Sequence, residues 1–569
     1  MKLAAVPVAA GVLLAIYVAA FVALPPGVFY SPDEGAKYLQ LRTIGWDGGL
    51  TYRVAYGGGD LDPTYRFYPT HCRHLDIYPL PLPDGGVRLQ WPIWFALVTA
   101  WPTALLGLRG LYVVPLLSGW IAALLSGWLA AIYDRRLAAW AILAVGLATP
   151  VAFFSQTYWE HTLATALALA AVALLAARDA RPGVAWLGLP LLLAAIALRI
   201  ELVALAAAVG LALWMTPAAS GATTRPPRWW LRLAAGALGL AAGLAWLAPF
   251  IPFRHVWALS ELPDYLRGAV AKLPHLRAAL VALLIDAPGN SAPALPEWTR
   301  AVAALAFGAA AAAPFLPGRA RNAVGVAACS VALVFSATLA SHPAPYMSVH
   351  GLLPVAPFLI LAAWALPDAL RSRRVDRRFV ACLTVLYLVC GTALQFIFTI
   401  DAEGRYRTGL EWGNRYLMLL YPLGTVLALA GITAWRRATD GALRQLVTGL
   451  AVALLLCGVQ SGLRGLWVLY GSRTLVAEWQ AAVARHGPLV SDIWWLPAAM
   501  APHFANEPMF CVRDRAELAE WIELAAAHGV ETFTVATFRD LAPPAAAAAD
   551  AGRVPVAGLR VTRYRLGGG

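Results

Sequence analysis

Apolar segments long enough to cross a membrane recur along most of this 569-residue chain, and they restrict its possible folds more than any other feature. Hydrophobic residues make up 60% of the sequence and charged residues only 13%. A water-soluble chain of this length could not bury that much apolar surface, so a bilayer must solvate it. Residues 3–24 form the first segment, which we interpret as a retained helix because no small-residue cleavage site follows it.

The arginines stand mostly in short clusters between the apolar segments, a placement typical of cytoplasmic loops. The net charge of +13 therefore indicates topology and not a nucleic-acid partner. With these clusters inside, the sequence predicts about thirteen crossings, a cytoplasmic N-terminus and an outer C-terminus. The predicted crossings are 3–24, 111–133, 137–155, 161–177, 184–199, 201–215, 231–252, 297–317, 322–340, 351–366, 379–400, 416–434 and 445–470.

Two parts of the chain are predicted to lie outside the bilayer. The first is a long outer loop, 25–110, whose apolar part 91–108 is expected at the membrane interface. The second follows the membrane domain 1–470, where the composition changes and predicts a small α/β extracytoplasmic domain over 474–569. Its expected strands are "GPLVSDIWW", "VETFTVATF" and "VAGLRVTRYRL", with "RAELAEWIELAAAHG" as an amphipathic helix and "PPAAAAAD" as a flexible loop. The fold class is thus a polytopic α-helical membrane protein carrying this domain.

Ionisable residues near the ends of the apolar segments gather on the predicted outer face. Such charges are costly unless they face a watery cavity or one another, so their convergence indicates a functional site. The site candidates among them are Asp33, Glu34, Glu160, His161, Arg199, Glu201, Arg254, His255, Arg405, Arg407 and Arg415.

Six of these residues also have a structural interpretation, which the sequence leaves open. Asp33 and Glu34 can cap the helix that begins beside them, since acids favour helix N-termini. Glu160 can be an interfacial acid next to an aromatic-belt tryptophan. Arg199 and Glu201 can form an ion pair that holds a hairpin together, and Arg415 can pair locally.

Neither metal ligation nor a disulfide framework is indicated. "HCRHLD" at 71–76 has ligand spacing for zinc, but no second cluster completes a tetrahedral site, and no metal is predicted there. Four of the six cysteines fall in apolar segments. Cys72 and Cys511 lie in polar regions, where a bridge between them is possible.

The order of several short motifs resembles that of a known superfamily. An acidic "PDE" follows the first helix, and "LQWPIWFALVTAWP", "WEH", an Arg-x-Glu hairpin and "WGNRYLMLLYPL" come after it. Over residues 1–470 this order is similar to the GT-C integral-membrane glycosyltransferases, which include protein O-mannosyltransferases and aminoarabinose transferases. The resemblance implies a sugar donor on a polyprenyl phosphate and an acidic motif in the first outer loop, where Asp33 and Glu34 stand. The more usual Arg-Pro-Glu of that superfamily is Arg199-Ile200-Glu201 here.

The resemblance and the charges together predict an inverting glycosyltransferase at the outer face of the plasma (inner) membrane. A carboxylate would deprotonate the acceptor hydroxyl, with Asp33 as the expected base and Glu34 or Glu160 as the second choices. The acceptor can be a lipid, a glycan or a protein. No cofactor is expected, and a dependence on divalent metal is left open.

Arginines are the expected ligands of the departing lipid phosphate, because the guanidinium fork grips phosphate through two hydrogen bonds. The first candidates are Arg405, Arg407 and Arg415, with Arg254 and His255 behind them. Two other functions stay open. A flippase or transporter of lipid-linked sugars would predict internal repeats and midplane charges, neither of which is evident. A non-catalytic scaffold would leave the convergence of acids and arginines unexplained.

Overall fold

The structure is a computed structural model. It describes residues 5–44, 54, 56–69, 79–81, 87–89, 91–217, 262–285, 296–341, 351–399, 412–483, 487–504, 507–539, 541, 547–556 and 558–566. Outside these residues lie the predicted crossing 231–252, the 71–76 motif with Cys72, and the candidates Arg254, His255, Arg405 and Arg407.

Helices account for most of the described chain. The α-helices are Ala5–Ala23, Pro32–Leu41, Trp94–Leu106, Val113–Tyr133, Ala138–Leu147, Val151–Phe154, His161–Ala176, Pro182–Ala185, Gly188–Leu198, Val203–Met215, Leu262–Lys272, Leu276–Leu284, Glu297–Ala312, Gly318–Ala340, Leu352–Val355, Leu366–Arg371, Val375–Thr399, Leu420–Arg437, Gly441–Val483, Leu496–Ala499, Ala501–Phe504 and Arg515–Ala527. Short 3-10 helices are Gly107–Tyr112, Arg135–Leu137, Ile200–Leu202, Leu273–His275, Ala313–Phe315, Pro357–Ala365 and Arg415–Leu417.

Within the described part of the chain, six helical segments are long and apolar enough to cross a membrane. They are Ala5–Ala23, Trp94–Tyr133, Glu297–Phe315, Gly318–Leu339, Val375–Thr399 and Gly441–Val483. Three shorter apolar helices are His161–Ala176, Gly183–Leu198 and Ile200–Met215. The predicted helical membrane fold is confirmed in this form, whereas the number of thirteen crossings is not.

The outward faces of these helices are apolar, as a lipid environment requires. Val8, Leu105, Val334 and Leu456 are all more than half exposed. Large apolar side chains in this number would be unfavourable against water, but they match the hydrocarbon core of a bilayer.

Gly441–Val483, which we call the long helix, extends well past the predicted crossing 445–470. At 1.5 Å per residue its 43 residues span about 65 Å, roughly twice the hydrocarbon thickness of a bilayer. Its last turns therefore project beyond the apolar layer, and they carry Arg473 to the site described below.

A five-stranded sheet follows the long helix. Its strands are β3 (Leu489–Ser491), β4 (Met509–Cys511), β5 (Thr532–Thr537), β6 (Ala547–Val556) and β7 (Leu559–Leu566), and a separate hairpin pairs β1 (Pro79–Pro81) with β2 (Val87–Leu89). The order across the larger sheet is β4-β3-β5-β7-β6. β3 is parallel to both neighbours, with Val490 opposite Phe510 and Val535, and the other pairings are antiparallel.

One helix covers this sheet. Arg515–Ala527 begins at Asp514, whose carboxylate accepts hydrogen bonds from the backbone N–H groups of Ala516 and Glu517. Trp521 on its inner face contacts the rings of Phe510 and Phe533.

The predicted strands β3, β5 and β7 and the predicted helix are confirmed. The loop predicted at 543–550 is wrong for residues 547–550, because these three alanines and Asp550 pair with β7. Among the cysteines, Cys329, Cys382, Cys390 and Cys457 are free and Cys511 is disulfide-bonded.

The helix Pro32–Leu41, which we call the acidic helix, lies directly against the C-terminal part of the chain. Phe29 donates its backbone N–H to the carbonyl of Ala499 at 3.0 Å. A Cβ atom on Gly35 would stand 1.6 Å from the carbonyl oxygen of Ala498, so only glycine permits this approach. The segment that holds Asp33 is thus fixed between the membrane helices and residues 496–504.

Candidate functional site

The start of the acidic helix is set by a capping box. Ser31 Oγ accepts the backbone N–H of Glu34 at 3.4 Å, and Glu34 Oε2 accepts the N–H of Ser31 at 3.1 Å. Pro32 occupies the first turn, where its missing N–H costs nothing. Asp33 therefore stands in the first turn, where the helix dipole favours a negative charge.

Glu34 is fully buried, and four hydrogen-bond donors surround its carboxylate. Besides Ser31, the donors are the N–H groups of Tyr30 at 2.9 Å and Tyr158 at 2.6 Å, and Arg473 Nη2 at 3.2 Å. Burial raises the pKa of Glu34, while Arg473 and the backbone donors oppose that rise. Four donors aimed at one carboxyl group are compatible with its ionised form, since a protonated oxygen would face an N–H.

Asp33 has the more accessible carboxylate of the two, with 18% of its side chain exposed. Its Oδ2 accepts a hydrogen bond from Arg415 Nη1 at 2.9 Å. The Arg415 guanidinium lies 5.2 Å from the centre of the Trp159 ring and 5.1 Å from that of Tyr416. Aromatic faces on the guanidinium stabilise the cation and fix its plane.

The "WGNRY" segment places Arg415 by local hydrogen bonds. Asn414 accepts the backbone N–H groups of Tyr416 and Leu417, and its amide donates to the Leu283 carbonyl and to Gln395. Asn414 is fully buried, so this turn is anchored to two other segments.

Glu160 is the centre of a second charged group. Its Oε2 forms an ion pair with Lys37, and its Oε1 accepts from Arg199 Nη1 at 2.9 Å. Burial acts to raise the pKa of Glu160, but Lys37 and Arg199 outweigh it and hold that pKa at about 2. Arg199 also pairs with Glu201 and lies over the Tyr416 ring at 5.5 Å, which joins this group to Arg415.

His161 lies behind these charges. It is 2% exposed and contacts the rings of Phe154 and Trp159 edge-on. Within the described part of the chain no group is hydrogen-bonded to its Nε2 atom.

A small pocket opens beside the ion pair of Lys37 and Glu160. Its walls are mostly apolar, and its lining residues are Lys37, Gln40, Trp91, Pro92, Phe95, Glu160 and Leu198. Lys37 and Glu160 are the charged residues in this lining. No cluster of three or more metal-ligating side chains occurs among the residues the structure describes.

The structure brings together seven of the residues proposed from the sequence, namely Asp33, Glu34, Glu160, His161, Arg199, Glu201 and Arg415. Sequence reasoning missed Lys37 and Arg473. Lys37 could have been found, because it stands four residues after Asp33 and so shares its helix face. Arg473 carries no local signal, since it is 439 residues from its partner Glu34.

No protein-family model matches the sequence, and no curated protein matches it. Among solved structures, the chain is similar to ArnT from Cupriavidus metallidurans in the apo state, with a TM-score of 0.48 and 13% identity over 97% of each chain. It is similar to ArnT from the same organism bound to undecaprenyl phosphate, with a TM-score of 0.48 and 14% identity over 97% of each chain.

Proposed function

We propose that this protein is an inverting glycosyltransferase that moves a sugar from a polyprenyl-phosphate donor to an acceptor hydroxyl. The observation that carries the proposal is the pairing of Asp33, in the first turn of the acidic helix, with Arg415, which lies just before the helix Leu420–Arg437. A carboxylate that can take a proton thus stands beside a cation that can hold a phosphate. These are the two groups that the reaction requires.

In the proposed reaction Asp33 takes the proton of the acceptor hydroxyl as its oxygen attacks the anomeric carbon. The bond between that carbon and the phosphate oxygen breaks, and the lipid phosphate leaves with the electron pair. The leaving group gains negative charge in this step, which Arg415 stabilises more strongly in the transition state than in the ground state. The configuration at the anomeric carbon inverts because one displacement occurs.

Glu160 has a different part in the proposal. Its carboxylate already binds two cations, so we assign it to holding Lys37 and Arg199 in place and not to proton transfer. Arg405, Arg407, Arg254 and His255 stay predicted phosphate ligands outside the described residues.

The direct test is to identify the lipid that co-purifies with the protein and to assay transfer in nanodiscs. We expect mass spectrometry to find polyprenyl phosphate on the wild-type protein, and less of it on an Arg415→Ala variant. Arg178→Ala is the matched control, because Arg178 binds backbone carbonyls at the other end of the helix that follows Glu160. Equal lipid occupancy in all three proteins, without transfer by the wild type, would contradict the proposal.

We further propose that the site faces the outside of the plasma membrane. Its charges and the arginine clusters occupy opposite ends of the same helices. Glu160 precedes His161–Ala176 and Arg178 follows it, and Arg178 lies over Phe379 near the start of Val375–Thr399. Arginine clusters mark the cytoplasmic end.

This orientation predicts that the C-terminal strands are extracytoplasmic. A phosphatase that is active only in the periplasm should therefore be active when fused to Gly569. A fluorescent protein that fluoresces only in the cytoplasm should give no signal at the same position. A fluorescent fusion without phosphatase activity would reverse the orientation.

A further inference from the structure

We propose that Arg473 is a positioning residue, which acts through Glu34 to hold Asp33 and Glu160 in register for catalysis. The inference rests on the proposed glycosyl transfer, and it adds the end of the long helix to the machinery of that site. Arg473 contacts neither Asp33 nor Glu160 in the contacts the structure describes. Arg473 therefore acts on Asp33 and Glu160 by holding the backbone segments that bear these two residues.

Arg473 is buried, and its guanidinium has three partners. Its side chain is 1% exposed, and its Nη2 donates to Glu34 Oε1 at 3.2 Å and to the carbonyl of Gln156 at 2.8 Å. Its guanidinium lies 4.3 Å from the centre of the Tyr112 ring. A buried cation with a carboxylate, a carbonyl and an aromatic face around it is well fixed.

The segments joined at this point are those that bear the two proposed functional carboxylates. Glu34 follows Asp33 directly and receives the N–H of Tyr158, which is two residues before Glu160. Arg473 binds both Glu34 and the carbonyl of Gln156 in that second segment. Arg473 on the long helix therefore bridges the two segments that bear these carboxylates.

A buried ion pair is an unusual way to join segments, because apolar side chains of similar size often hold a fold as well or better. Desolvation of both charges offsets most of their attraction. Geometric precision is what the pair offers instead, since Arg473 Nη2 is shared between Glu34 and the Gln156 carbonyl while the guanidinium lies over the Tyr112 ring.

The test compares Arg473→Met with the double variant Glu34→Gln/Arg473→Met. The single variant leaves Glu34 buried without its cation and can fail to fold, whereas the double variant removes both charges and should fold. In the double variant we expect kcat for transfer to fall at least tenfold, while KM for the lipid donor changes less than twofold. Hydrogen exchange at residues 30–34 and 156–160 should become faster.

Arg178→Met is the matched control, since Arg178 follows the far end of the helix that Glu160 precedes and donates to the backbone carbonyls of Leu175 and Thr216. It should leave kcat and exchange at these two segments unchanged. A double variant with wild-type kcat would overturn the positioning role and leave the proposed function intact. A fall in kcat with unchanged exchange at both segments would also overturn it. A wild-type protein that performs no transfer would refute the proposed function itself, and Arg473 would then have no catalytic role.

Discussion

Asp33→Asn is expected to lower the rate of sugar transfer by roughly a hundredfold or more, the usual scale for loss of a general base. The amide keeps the size of the side chain, and its oxygen can still accept the hydrogen bond that Arg415 donates. It lacks the basicity needed to take a proton from the acceptor hydroxyl. The helix start should survive because Ser31 and Glu34 form its capping box.

The measurement is transfer from a polyprenyl-phosphate donor in nanodiscs, with thermal melting as the folding control. Asp134→Asn is a suitable matched control, because Asp134 caps a turn at the arginine-rich end, where its carboxylate accepts the N–H of Arg136 at 2.9 Å. We expect that variant to retain its activity. Normal transfer by Asp33→Asn would remove Asp33 from the base role.

Adjacent acids look equivalent in a sequence, but Asp33 and Glu34 have different surroundings in the fold. A local signal separates them, since Ser31-Pro-Asp-Glu34 has the spacing of a capping box and assigns Glu34 to the helix start. The signal does not tell how deeply Glu34 is buried. That depends on Arg473 and Tyr158, which approach from distant parts of the chain.

The membrane helices were predictable because an apolar run is itself the signal for a bilayer span. Their interruptions were harder to find. The single crossing predicted at 137–155 is Ala138–Leu147 followed by a separate turn, Val151–Phe154. Pro150 explains the break, because proline disfavours helical backbone in the residue before it. A hydropathy window averages over many residues and therefore does not detect a helix break at a single position.

The outer charges could be placed on one face from topology, but their partners could not be assigned. The sequence leaves Glu160 open as an interfacial acid or as a base, and the structure pairs it with Lys37 and Arg199. Arg199 and Glu201 do form the ion pair that the alternative interpretation described. Arg199 forms ion pairs with both Glu160 and Glu201, so its structural pairing with Glu201 is compatible with a place in the site.

Arg415→Ala should cost about 2 to 4 kcal/mol of transition-state stabilisation, which is a loss of roughly thirty- to nearly a thousandfold in kcat/KM. Arg415→Lys should restore little of this. A lysine supplies the charge, but its ammonium cannot grip phosphate with two parallel bonds or lie flat against Trp159 and Tyr416 as the guanidinium does.

Arg415 also binds Asp33, so loss of rate alone would not separate phosphate binding from support of the base. Inhibition by free polyprenyl phosphate separates them, because this product carries the phosphate and needs no proton transfer. If Arg415 holds the phosphate, Arg415→Ala should weaken that inhibition severalfold, whereas Asp33→Asn should leave it near the wild-type value. Equal inhibition of the wild type and Arg415→Ala would show that Arg415 serves Asp33 alone, and the phosphate would then need another ligand.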